Sequence, residues 1–159
     1  MKHKTIEIGY TEFESIDELT QMDAELLEKA RETAKCAWAP YSGFHVGASV
    51  LLDSGQMITG NNQENAAYPS GICAERVALY AANANYSRSR VVAIAISAFN
   101  KKGRVLQPIS PCGSCLQAIR ETEERFGIPI RLILDGAKKI IEVEGIKNLM
   151  PLSFNSNSM

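Results

Sequence analysis

Four side chains have the types and spacing to do chemistry together: Cys73 with Glu75 two residues on, and Cys112 with Cys115 as a Cys-x-x-Cys pair. Taken alone, Cys112 and Cys115 fit a zinc half-site, a redox dithiol or two small buried residues. Cys73 changes the balance. The surrounding patterns predict one helix starting at Cys73 and another at Cys112, so two helix N-termini can bring three sulfurs to one point. Three protein ligands leave a tetrahedral zinc one open position, the arrangement of a catalytic site, whereas a structural site wants a fourth Cys or His. No other residue offers itself well. Cys36 lies among Ala34, Ala37 and Trp38 and reads as a small buried apolar side chain on a helix. His3 is near the start of the chain, and His45 points away from the apolar face of a predicted strand.

Zinc with three thiolates carries a net negative charge, which works against activating water. Two helix N-termini supply about half a positive charge each. Arg76 beside the first ligand adds a whole one and can donate hydrogen bonds to sulfur; without the metal it would be read as a solvated surface charge. Glu75 is two residues from Cys73, and such residues do not sit side by side on a helix. It is therefore placed to act on water or substrate from another side, as a general base. A carboxylate stabilising the positive helix N-terminus is the alternative for Glu75, and the adjacent zinc site is what favours catalysis.

The elements that must hold these groups follow from periodicity. Ile6, Ile8 and Tyr10 alternate, predicting a short extra edge strand within 4–13. Ser15 with Glu18 forms a possible capping box, and Leu19, Met22, Leu26, Leu27, Ala30 and Ala34 repeat at helical spacing up to a stop before Pro40. A strand is predicted over 44–52, turning at Asp53-Ser54-Gly55 into a second over 57–61. Residues 62–71 form a long polar loop broken by Pro69 and Gly71, a length that often signals function. Helix 73–84, the β-branched strand 91–96 and helix 112–126 follow, the last with Pro111 at its first position and ended by Gly127. Short strands over 130–134 and 140–143, a helical turn near 146–150 and a frayed tail at 155–159 complete the chain. A hairpin followed by alternating helices and strands implies a three-layer α-β-α sandwich with a mixed sheet of about five strands.

Composition narrows the partners. The 159 residues suit a single domain, with 1–15 as an added segment. A net charge of -1 with 45% hydrophobic residues gives neither the basic excess of a nucleic-acid binder nor a disordered profile. No apolar run approaches the roughly 20 residues of a membrane span, and no apolar signal core follows Met1-Lys2-His3-Lys4. The expectation is a cytoplasmic protein with a small-molecule partner and reduced cysteines.

At this point the sequence resembles the cytidine deaminases, specifically the small homotetrameric type with three cysteine ligands. The resemblance runs from about Ala34 to Phe154. It is carried by Ala39-Pro40-Tyr41-Ser42-Gly43-Phe44 with Val46-Gly47-Ala48, by Asn62-Gln63-Glu64-Asn65 with Tyr68-Pro69, by Gly71-Ile72-Cys73-Ala74-Glu75-Arg76, and by Ser110-Pro111-Cys112-Gly113-Ser114-Cys115. The pairing of a Pro-Cys-x-x-Cys half with a non-ligand Glu is the known zinc-deaminase signature. It implies one zinc per subunit on Cys73, Cys112 and Cys115, with Glu75 as proton shuttle in hydrolytic deamination at C4 of the pyrimidine. It further implies that the Ala74 N–H and the Ser110 carbonyl pair with the base, that Asn62 and Glu64 read the ribose, and that Phe44 packs on the pyrimidine. Ala66 and Tyr68 would approach a neighbouring subunit's pocket, and Phe154 would cover a neighbour's base, in a homotetramer. Three positions depart from the pattern: Asn61 for the frequent Cys, Ala67 for Ser, and Leu116 for Arg. The last bears on charge balance at the ligands or on a subunit contact. Deamination of another aminated nucleoside is the second reading, and a zinc-stabilised interaction module or a redox dithiol would come from other classes.

Overall fold

The computed structural model describes residues 1–158. Seven strands form one sheet: β1 (Thr11–Phe13), β2 (His45–Leu52), β3 (Met57–Asn61), β4 (Val91–Asn100), β5 (Gly103–Arg104), β6 (Arg131–Asp135) and β7 (Ile140–Glu144). Three helices accompany them: α1 (Gln21–Ala34), α2 (Ala74–Asn85) and α3 (Gly113–Phe126). The sheet order is β1-β7-β6-β4-β2-β3, with β5 paired to β4. Only β4 and β6 run parallel among these pairings, joined by the crossover that contains α3. The five expected core strands are all present. The sheet is larger because β1 adds to the β7 edge and the two-residue β5 folds back on β4.

The sheet separates two apolar layers, because successive side chains of a strand point to opposite faces. Val46, Ala48, Val50 and Leu52 of β2 join Ile94, Ile96, Leu132 and Leu134 under α2 and α3. Leu51, Ala93, Ala95 and Ile133 face α1 through Leu26, Leu27 and Ala30. Gly47 of β2 lets α1 approach this closely: a Cβ there would lie 2.0 Å from the Ala30 carbonyl oxygen. The buried Asp135 ties α1 to the sheet, accepting from Arg31 Nε at 2.9 Å, Arg31 Nη2 at 2.8 Å and Ser97 Oγ at 2.7 Å.

Several boundaries differ from the sequence expectation for local reasons. Ser15 caps only a 3₁₀ turn, Ile16–Glu18, while Thr20 caps α1 by accepting from the Asp23 amide at 3.2 Å. Ile6, Ile8 and Tyr10 precede β1 and are exposed rather than forming a strand. Strand β4 continues through Ser97 and Phe99 to Asn100, pairing with β2 as far as Phe99. Pro111 sits one residue before the α3 N-cap, which is Cys112, rather than inside the helix. Gly127 ends α3 at φ 69°, the left-handed geometry that favours glycine. The expected tail at 155–159 contains a 3₁₀ turn, Ser156–Ser158, and Met159 lies outside the described residues.

Candidate metal and active site

Strand β3 and helix α2 set the first half of the site. The antiparallel bridge of Gln63 with Ile72 closes the loop after β3 and delivers the chain to Cys73, the N-cap of α2. Gly60 of β3 permits this, since a Cβ there would stand 2.5 Å from the Ala78 amide nitrogen and 2.9 Å from the Ala74 carbonyl oxygen. Both are helix backbone and cannot swing aside. Gly60→Ala is therefore expected to push the start of α2 outward, with a loss of about 1–3 kcal/mol of stability and weaker zinc binding. Thermal unfolding and a zinc titration check this, and unchanged values in both would remove Gly60 from the account.

The second half comes from α3, where Cys112 is the N-cap and Cys115 lies in the first turn. Neither N-cap thiol satisfies a helix amide, so both remain available as ligands at the positive ends of two helices. The three sulfurs lie within 4.8 Å of one another. Cys73 and Cys112 are 3.7 Å apart, and Cys112 and Cys115 are 3.5 Å apart. A tetrahedral zinc with Zn–S bonds of about 2.3 Å places its sulfurs about 3.8 Å apart, so the cluster fits one zinc ion per chain. Glu75 is not among these donors.

The electrostatics of the cluster suit a divalent cation. A hydrogen bond from Cys115 pulls the Cys73 thiol down to about 5, with Arg76 adding to the effect. The same bond to Cys73 pushes Cys115 upward, reinforced by burial and by the negative Glu75. Cys73 and Cys115 thus resist ionising together, and a bound divalent cation removes that resistance. Arg76 Nη2 reaches Cys73 Sγ at 3.6 Å, while its Nε is buried with no hydrogen-bond partner. The arginine therefore faces the sulfurs rather than solvent alone.

Glu75 is buried at 6% exposure on the wall of a cleft of about 680 Å³. Burial raises its carboxyl above the usual range, opposed by its own backbone amide, while the Cys73 charge raises it further. A carboxyl that holds a proton more readily suits proton transfer better than charge stabilisation alone. The same cleft is lined by Cys73, Ala74, Ser110 and Cys112 and by Phe44, Asn62, Glu64 and Tyr68. Ala66, Arg76, Cys115 and Phe154 are not on its wall. Ala66 is exposed, Tyr68 is 77% exposed and Phe154 is 58% exposed.

One further expectation is settled by position. Cys36 lies beyond the end of α1 and is exposed, so the reading of it as a buried helical side chain is corrected: the helix stops at Ala34. Leu116 is partly buried against the larger core layer. Sequence reasoning also passed over Ser42, which lines the cleft and bonds to Glu64. It was visible as part of the Tyr41-Ser42-Gly43-Phe44 motif, but nothing in that motif announced its partner.

Three thiols at paired helix N-termini, beside a buried carboxyl in an open cleft of an α-β-α sandwich, define a zinc-dependent hydrolase. The family model described as "Cytidine and deoxycytidylate deaminase zinc-binding region" matches residues 20–127, and the chain belongs to this family. A cytidine deaminase of Halalkalibacterium halodurans is 37% identical over 136 residues, covering 84% of this chain and 95% of the relative. A cytidine deaminase of Sporosarcina psychrophila is 35% identical over 139 residues, covering 87% and 96%. The crystal structure of cytidine deaminase from Burkholderia pseudomallei superimposes with a TM-score of 0.70 at 32% identity, covering 86% of this chain and all of that one, 100%.

Proposed function

We propose that this chain hydrolyses cytidine and deoxycytidine to uridine and deoxyuridine with release of ammonia. The observation that carries this reading is the buried Glu75 carboxyl facing the cleft beside the three-thiol cluster. Cys73, Cys112 and Cys115 would hold the zinc, which supplies Lewis acidity for the hydrolytic water. Glu75 would take the two protons of that water in turn, passing the first to N3 and the second to the departing ammonia, so one carboxyl serves as base and then acid. The Ala74 N–H and the Ser110 carbonyl orient the base, and Phe44 packs against it. Arg76 offsets thiolate charge.

Asn62 and Glu64 are assigned to the sugar. The Asn62 amide is half used by the fold: its Oδ1 accepts from the Val46 amide at 2.7 Å and its Nδ2 donates to the Phe44 carbonyl at 2.9 Å. An amide in that state keeps one N–H and one lone pair for a sugar hydroxyl. The residues lining the cleft include Glu64 and Glu75 but no Lys, Arg or His, which supports a neutral nucleoside over a phosphorylated one. Incubating the zinc-loaded protein with cytidine should give uridine and ammonia in equal amounts, and unconverted cytidine would overturn the assignment.

The setting we propose is cytoplasmic pyrimidine salvage by a homotetramer. No helix among the described residues is long and apolar enough to cross a membrane. Exposed Tyr68 and Phe154, aromatic and outside the core, support shared sites. Light scattering should give a mass of about four chains at assay concentration, and an active monomer would contradict the assignment of Ala66, Tyr68 and Phe154 to a neighbouring pocket.

A further inference from the structure

The Glu64 carboxylate is held by three donors from one short turn. Its Oε1 accepts from Ser42 Oγ at 2.5 Å, and its Oε2 accepts from the Tyr41 amide at 2.8 Å and the Ser42 amide at 3.3 Å. The Ser42 hydroxyl has a second bond, accepting from the Phe44 amide at 3.0 Å. Gly43 makes that return possible with φ at 64°. The Phe44 carbonyl is in turn held by Asn62. One hydroxyl thus bridges the residue assigned to the pyrimidine face and the carboxylate assigned to the sugar.

We propose that Ser42 is a positioning residue of this site: its hydroxyl fixes the Glu64 carboxylate relative to Phe44 and so sets how tightly the nucleoside sugar is held. The proposal rests on the reading of Glu64 as the sugar-binding carboxylate. A glutamate side chain has several rotamers, and its terminal torsion is broad. Bonds to Oε2 alone leave the carboxylate free to turn about that anchor, whereas a donor on Oε1 fixes the plane of both oxygens. A carboxylate offers about four lone-pair positions, so Oε1 keeps one for a substrate hydroxyl, aimed by the bond from Ser42. The two bonds from the turn amides survive replacement of the position 42 side chain by Ala or Thr, which makes the hydroxyl separable from the rest of the turn. Those three donors also hold the Glu64 carboxyl below the usual carboxylate range, the Ser42 hydroxyl being the largest cause.

Glu64 is taken to pair with the sugar 3'-hydroxyl, so the test is steady-state kinetics of the zinc-loaded enzyme with cytidine and with 3'-deoxycytidine, which lacks that hydroxyl. The variants are Ser42→Ala, Ser42→Thr, Glu64→Ala and the double variant Ser42→Ala/Glu64→Ala. Ser42→Ala should raise KM for cytidine about tenfold, the effect of one lost hydrogen bond to an ionised group, with kcat within about twofold. KM for 3'-deoxycytidine should not move. Ser42→Thr, which retains the hydroxyl, should restore the cytidine KM, and the double variant should match Glu64→Ala. The proposal is overturned if Glu64→Ala raises KM for cytidine but Ser42→Ala does not. It is equally overturned if Ser42→Ala acts alike on both nucleosides or persists in the Glu64→Ala background, since Ser42 would then act through Phe44. An unchanged cytidine KM in Glu64→Ala removes the sugar role of Glu64 itself, and the proposal falls with it.

Discussion

Glu75→Gln is expected to lower kcat for cytidine by roughly 10²–10⁴-fold, towards the upper end, while zinc remains bound and KM changes little. The amide keeps the size and planarity of the carboxyl but cannot accept and return a proton. Because Glu75 is proposed to serve both the water and the leaving group, its loss affects more than one proton transfer. Stability should hold or rise, since a carboxyl whose ionised form is disfavoured by burial gives way to a neutral group of the same shape. That combination separates a proton-carrying role from a helix-capping one. A helix-capping Glu75 would show the reverse, a lower melting temperature with activity retained. A zinc-replete variant with kcat within tenfold of the parent would move the proton work to another group.

Cys73→Ala should abolish zinc binding and turnover together. The two remaining sulfurs come from one helix, a half-site without the partner on α2. Removing a ligand from a site that begins with only three leaves metal affinity too low to survive purification, and stability falls with the lost binding free energy. Metal analysis should drop from about one zinc per chain to a trace. Cys112, exposed and freed of metal, should then react with thiol reagents that leave it untouched in the parent. A metal-replete, active Cys73→Ala protein would refute the ligand set.

The core of this fold is legible because it obeys simple periods. Alternation in β2 and helical spacing in α1 each place apolar residues on faces that the structure buries. The starts of α2 and α3 are legible because the sulfurs sit where capping residues would. The start of α1 was not, because Ser15 and Thr20 are both chemically able to cap, and only packing selects Thr20. The edges of the sheet were also hidden: Ile6, Ile8 and Tyr10 carry a strand period yet find no partner strand, while Thr11–Phe13 pairs with β7. Strand β5 is two residues after a charged turn, too short for any period to register. Within the site, residue types pointed to zinc, but the Ser42–Glu64 bond joins positions 22 residues apart and exists only once the 62–71 loop folds back.

Hydrolytic deamination in this cleft is tested most directly by turning over cytidine in oxygen-18-labelled water and analysing the uridine by mass spectrometry. Zinc-loaded protein should place a single heavy oxygen at C4 and release one ammonia for each uridine formed. Chelated protein should do neither until zinc is restored. Full zinc occupancy with no labelled uridine would contradict the account.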